Sequence, residues 1–153
     1  MGVDMIASAQ TLRRLRPIAP FHERTAHNGM TFGLGPAGYD VRIAESITLL
    51  PGEFCLASTV ERFAMPDDYL AMVADKSTWA RRGIAVQHTV IEPGWRGFLT
   101  LELTNHSADT IAIIAGDPIA QIVFHQLDVP TDSPYDGRYQ DQEAGPQPAR
   151  SLM

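Results

Sequence analysis

Cysteine is nearly absent from this sequence: Cys55 stands alone among 153 residues. One thiol cannot close an intramolecular disulfide or build a multi-cysteine zinc site, and it suits a reducing cytoplasm. Clustered histidine is missing as well, since His22, His27, His88, His106 and His125 are scattered without metal-ligand spacing. Positive charge is in short supply. Lys and Arg total 12 against 18 Asp and Glu, a net charge of −6, which argues against a nucleic-acid polymer as partner. A small anion held by a few local cations is compatible with that sign. No apolar run approaches membrane-crossing length. The opening "MGVDMIASAQTLRRLRP" has neither the apolar core nor the cleavage-like end of a signal peptide. It also fails the myristoylation pattern, which needs Ser or Thr where Ile6 stands.

What is present is punctuation. Twelve glycines and eleven prolines break the chain into short apolar runs: "YDVRI", "ITLL", "EFCLAST", "RFAM", "YLAMVA", "FLTLELTN", "TIAIIA" and "PIAQIVFHQL". Turn signals such as "PGE", "PDD", "EPGWRG", "NHSAD" and "AGDP" separate them. The spacing predicts an all-β subunit, a sandwich, barrel or jelly roll, in one domain over residues 1–153. Residues 5–16 read as a short helix, and "STWARR" as one helical turn with Ser77 as its N-cap. The Gly-rich stretch from Ala26 to Gly38 reads as a loop. From Val129 the chain becomes polar and Pro-rich, a composition that on its own packs poorly and reads as disordered.

Three stretches carry candidate chemistry, and each also has a purely structural reading. In "FLTLELTN", alternation places Leu99, Leu101 and Leu103 on one face and Phe98, Thr100, Glu102 and Thr104 on the other. That second face is either wetted by solvent or lines a pocket with Glu102 as a half-buried acid or base. "VIEPGWRG" is a hairpin bent at Pro93-Gly94, or a functional turn offering Glu92 and Trp95 to a ligand. "DKSTWARRG" is a capped helix start with solvated Arg81 and Arg82, or a phosphate site built from Lys76, hydroxyls and backbone N–H groups.

Taken in order, these stretches resemble the dCTP deaminase and dUTP pyrophosphatase superfamily. "DKSTWARRG" is similar to its Gly/Arg-Ser-Ser-x-Ala-Arg segment and "VIEPGWRG" to its Ile-Asp-Pro-Gly-Trp/Phe-x-Gly hairpin. "AGYDVRI" and "PIAQIVFHQL" resemble its early Asp-Val-Arg strand and its Ile-Gly/Ala-Gln strand. "RYQDQEAGPQPARS" resembles the deaminase tail, Lys-Tyr-x-x-Gln-x-Gly-Pro-x-Pro-Ser-Arg. The likeness spans about residues 38–151; the segment before Gly38 matches poorly. Two features point to the deaminase branch. Glu102 follows Glu92 by ten positions, where deaminases carry their catalytic glutamate, and the tail lacks the Gly-rich end of the pyrophosphatases.

The resemblance implies a distorted jelly-roll subunit with the β-clip fold of dUTPases, assembled as a cytoplasmic homotrimer with sites between subunits. It implies zinc-independent hydrolysis of dCTP to dUTP and ammonia. Glu102 would activate a water, with Ser77 and Arg81 orienting that water and supporting the carboxylate. Lys76, Thr78, Arg138 and Gln142 would hold the triphosphate, Tyr135 and Tyr139 would help residues 129–153 close over it, and Mg²⁺ would ride on the phosphates. His88, Glu92, Trp95 and Gln121 complete the nucleotide-facing set. Two departures matter. The family's hairpin aspartate is Glu92 here, which counts against pyrophosphate release. The stretch from Gly83 to Glu92 is shorter than in typical deaminases, leaving His88 or Thr89 to supply its base contact. A dUTP pyrophosphatase, a bifunctional enzyme and a non-catalytic nucleotide-binding regulator remain alternatives.

Overall fold

The computed structural model describes residues 5–150. Residues 1–4 and 151–153, with the start of the myristoylation pattern and the last part of the tail, lie outside the described residues. Thirteen strands and two short helices follow in the order β1 (Met5–Ile6), α1 (Ala9–Leu15), β2 (Ile18–Ala19), β3 (Thr25–His27), β4 (Met30–Gly35), β5 (Gly38–Arg42), β6 (Ile47–Leu49), β7 (Phe54–Ala64), β8 (Tyr69–Asp75), α2 (Ser77–Ala80), β9 (Ile84–Val86), β10 (Val90–Ile91), β11 (Arg96–Asn105), β12 (Ile111–Ile113) and β13 (Pro118–Gln126). The all-β reading holds, with jelly-roll-like layering.

One sheet runs β10-β8-β13-β5-β4-β3, with β1 added beside β13; a second runs β2-β7-β11-β9, and β6 pairs with β12. Every strand pairing is antiparallel. Alternation along β11 buries Leu99, Leu101 and Leu103 and leaves Phe98, Thr100, Glu102 and Thr104 half-buried on the other face. The buried leucines join Phe63, Val41, Ile122 and Phe124 in a single core.

Four local expectations change. The runs "EFCLAST" and "RFAM" form one continuous strand, β7. The helix near the N-terminus is shorter than residues 5–16: Ser8 caps it, its hydroxyl accepting the Thr11 N–H, while Met5 and Ile6 pair with Gln126 and His125. Ser77 is not an N-cap. Lys76 takes that position without a side-chain cap, since an ammonium has no acceptor to offer a backbone N–H; it donates to Asp40 at 2.7 Å instead.

The fourth change is the Ala26–Gly38 loop, which is a folded hairpin of β3 and β4 followed by β5. Asn28 and Gly29 both have positive φ, 49° and 73°, the pairing that tight two-residue hairpin turns require. Gly33 serves close packing instead: at φ 90°, a Cβ there would lie 2.6 Å from the Glu23 carbonyl oxygen.

Candidate active site

The hairpin predicted at Pro93-Gly94 forms as expected, the Trp95 N–H donating to the Glu92 carbonyl at 3.1 Å. Trp95 is buried against Phe63, ring centroids 5.9 Å apart. Its indole N–H donates to the Tyr139 carbonyl at 2.7 Å, which fastens the hairpin to the C-terminal segment. That segment is docked along β11, contrary to its composition. The Tyr135 N–H donates to the Pro93 carbonyl, Asp141 N–H to the Arg96 carbonyl, and Phe98 N–H to the Gln142 carbonyl, at 2.8, 2.9 and 3.0 Å. Gln142 is buried, and its Nε2 donates to the Phe98 carbonyl at 2.8 Å and to Thr100 Oγ1 at 3.1 Å. The polar tail therefore satisfies backbone groups of β11 that no other strand pairs.

Between this segment, the hairpin and β7 opens a cleft of about 540 Å³. Glu102, Glu92, Trp95, Tyr135, Tyr139 and Gln142, all singled out from sequence, line it together. Its walls are mainly apolar, from Phe54, Leu56, Val90, Ile91 and Leu99. Burial among them pushes the Glu102 carboxyl above its ordinary value, while its own backbone N–H pulls it part of the way back. A carboxylate held in this way is a better proton acceptor than an exposed one, which is what a general base at neutral pH requires.

The basic segment lies elsewhere on the subunit. Lys76, Ser77 and Gln121 line a second, smaller cavity of about 240 Å³ with Asp40, Asp75 and Arg24. Thr78, Arg81, His88 and Arg138 are exposed and line neither cavity. One Arg138 nitrogen donates to the Arg150 carbonyl at 3.3 Å. Thr89, beside His88, does face the Glu102 cleft.

Sequence reasoning missed Gln140, Gln147 and Asp40. Gln140 bridges the hairpin and tail, accepting the Arg96 N–H at 2.7 Å and donating to the Gly94 carbonyl at 3.0 Å. Gln147 donates its backbone N–H to Thr100 Oγ1 at 3.0 Å and so closes one side of the cleft. Nothing in local pattern distinguishes those glutamines from solvated ones. Asp40 lies in the "AGYDVRI" stretch, but its pairing with Lys76 depends on β5 and the end of β8 flanking β13. Among the described residues no group of three His, Cys, Asp or Glu side chains is placed to hold a metal, and no helix is long and apolar enough to cross a membrane.

A family model described as dCTP deaminase-like matches residues 36–127. The chain is 35% identical over 159 residues to a dCTP deaminase of Campylobacter fetus subsp. fetus, an alignment covering 82% of this chain and 86% of that protein. It is 40% identical over 106 residues to a dUMP-forming dCTP deaminase of Methanoculleus marisnigri, covering 66% and 57% of the two chains. In fold it resembles a mutant dUTPase from phage phi11 of S. aureus, in which the coordination of a structural Mg(II) ion was described. That match has a TM-score of 0.58 at 16% identity and covers 85% of this chain and 94% of the other.

Proposed function

The chain belongs to the dCTP deaminase-like family, and on that premise we propose that it hydrolyses dCTP to dUTP and ammonia with Glu102 as the base. The observation that carries this reading is a half-buried glutamate, its pKa raised by burial, in an apolar cleft wide enough for a nucleoside. Glu102 takes a proton from a water that attacks C4 of cytosine. It then passes protons to N3 and to the leaving amine, so that water and cytosine become uracil and ammonia. Trp95, Tyr135 and Tyr139 bound the base and sugar, and Thr89 or His88 supplies the base contact of the shortened loop. Gln142, expected on the triphosphate, commits its amide to Phe98 and Thr100 and holds the tail over the site instead.

Ser77 and Arg81 act on the same water in this reading, yet in one subunit they line no common cavity with Glu102. We therefore assign the complete site to a homotrimer in which one subunit's Lys76–Arg81 segment meets a neighbour's Glu102 cleft. Exposed Phe54 and Val90 at the cleft edge support such a contact. Lys76, Thr78, Arg138 and Gln121 then serve the triphosphate. Mg²⁺ would be held mainly by the nucleotide's phosphates and waters; among the described residues no three His, Cys, Asp or Glu side chains are placed to hold it. The single cysteine suits a cytoplasmic enzyme.

A second reading adds pyrophosphate release, giving dUMP. The likeness to a dUMP-forming deaminase favours it, and Glu92 in place of the family's hairpin aspartate weighs against it. Incubation with dCTP and with dUTP, assayed separately for ammonia and pyrophosphate, decides. Ammonia from dCTP without pyrophosphate supports the first reading and both products the second. Nucleotide binding without turnover would replace both with a regulator.

A further inference from the structure

The β3–β4 hairpin lies outside residues 36–127 matched by the family model and lines no part of the Glu102 cleft. It nevertheless walls the second cavity: Arg24, just ahead of β3, and Thr31 on β4 line it together with Lys76 and Ser77. Charge decides what that space can hold. Lys76 is already paired with Asp40 at 2.7 Å, its side chain only 10% exposed. Asp75 lines the cavity too, its Oδ1 accepting the Val86 N–H at 2.7 Å. Without Arg24, two carboxylates against one lysine would leave the cavity anionic and repel phosphate. Arg24 supplies the second cation, and its planar guanidinium suits phosphate oxygens.

The hairpin holds Arg24 in place. The Leu34 N–H donates to the His22 carbonyl at 2.9 Å, and Gly33 lets the Glu23 carbonyl pack flush against β4. The adjacent acid does not cancel the arginine: Glu23 is bound by Arg13 at 2.7 Å. Resting on the reading that this protein takes a deoxynucleoside triphosphate, we propose that Arg24 is a phosphate-binding residue through which the hairpin makes the site prefer a triphosphate to a monophosphate. It acts on the outer phosphates, beside the Lys76–Asp40 pair and Ser77.

The test is calorimetric titration of the full chain with dCTP and with dCMP. It is done in a Glu102→Gln background, so that nucleotide is not consumed. Arg24→Gln should weaken dCTP binding about tenfold, the scale of one charge-assisted contact. It should leave dCMP binding within about twofold on the same scale and thermal stability unchanged, and Arg24→Lys should restore part of the loss. Parental dCTP affinity in Arg24→Gln, with a loss in Ser77→Ala, would overturn the role of Arg24 while leaving the functional reading intact. Equal weakening of dCTP and dCMP would overturn the selectivity. Failure of the Arg24-intact protein to bind either nucleotide would overturn the functional reading itself, and this inference with it.

Discussion

Replacing Gln142 by alanine should loosen the C-terminal segment without disturbing the sheet beneath it. The side chain makes two hydrogen bonds, to the Phe98 carbonyl and to Thr100 Oγ1. At about 0.5–1.5 kcal/mol net for each, tail docking should weaken by about 1–3 kcal/mol. With about 1.4 kcal/mol per factor of ten, the ratio of docked to undocked tail falls roughly 5- to 150-fold. The ties from Trp95, Asp141 and Tyr135 remain, so the docked form persists in part. The Phe98 amide is the natural reporter, because its N–H donates to the Gln142 carbonyl. Its hydrogen exchange should quicken, and the Michaelis constant for dCTP should rise in the same direction, because binding requires the docked form. The global unfolding midpoint should hold, since Leu99, Leu101 and Leu103 pack on the opposite face of β11. Unaltered exchange would refute the hydrogen-bond reasoning, and faster exchange with unaltered kinetics would show the tail to be a passive end.

Glu61 is fully buried and accepts both the backbone N–H of Arg42, at 3.0 Å, and its Nε, at 2.8 Å. Glu61→Ala strands a mostly buried guanidinium and should cost about 3–5 kcal/mol in urea unfolding, where a loss below about 1 kcal/mol would mean that Arg42 finds water instead. Because burial raises the Glu102 pKa, the base is ionised only at pH above that raised value. The acid limb of kcat/KM should therefore sit above the ordinary glutamate range, and a limb at the ordinary value would contradict the burial. The same shift makes unfolding release the Glu102 proton. Stability from this group is full below the ordinary value and declines as pH rises to the folded one, a slope that Glu102→Gln should abolish. With a single cysteine and no clustered histidines, purified protein should carry no stoichiometric zinc and keep its activity after zinc chelation. About one tightly bound zinc per chain by metal analysis would overturn that expectation.

Strand alternation was legible because β11 obeys it: three leucines inward, Glu102 and Thr100 toward the cleft. The Pro93-Gly94 turn was legible for the same local reason, since its geometry depends on its own residues. The β3–β4 hairpin was hidden by glycines that look like loop residues. Gly33 is there for close packing with Glu23, a contact between segments that composition does not reveal. The tail was hidden for a related reason. Its polar side chains and backbone bond to β11 and the hairpin rather than build a core of their own, so low hydrophobicity gave no sign of its order. Ser77 reads as a cap by residue type, yet the cap position falls one residue earlier on Lys76, which has no acceptor for capping and pairs with Asp40, a partner set by sheet order.

Deamination of dCTP by Glu102→Gln protein tests the central claim most directly. Glutamine keeps the size and polarity of the side chain but cannot accept the water's proton. Binding of dCTP should stay within a few-fold of the parent, because the phosphate contacts lie elsewhere. Ammonia release should fall at least ~10²-fold, the low end for loss of a general base. Ammonia release at the parental rate would contradict the account, whatever the fold.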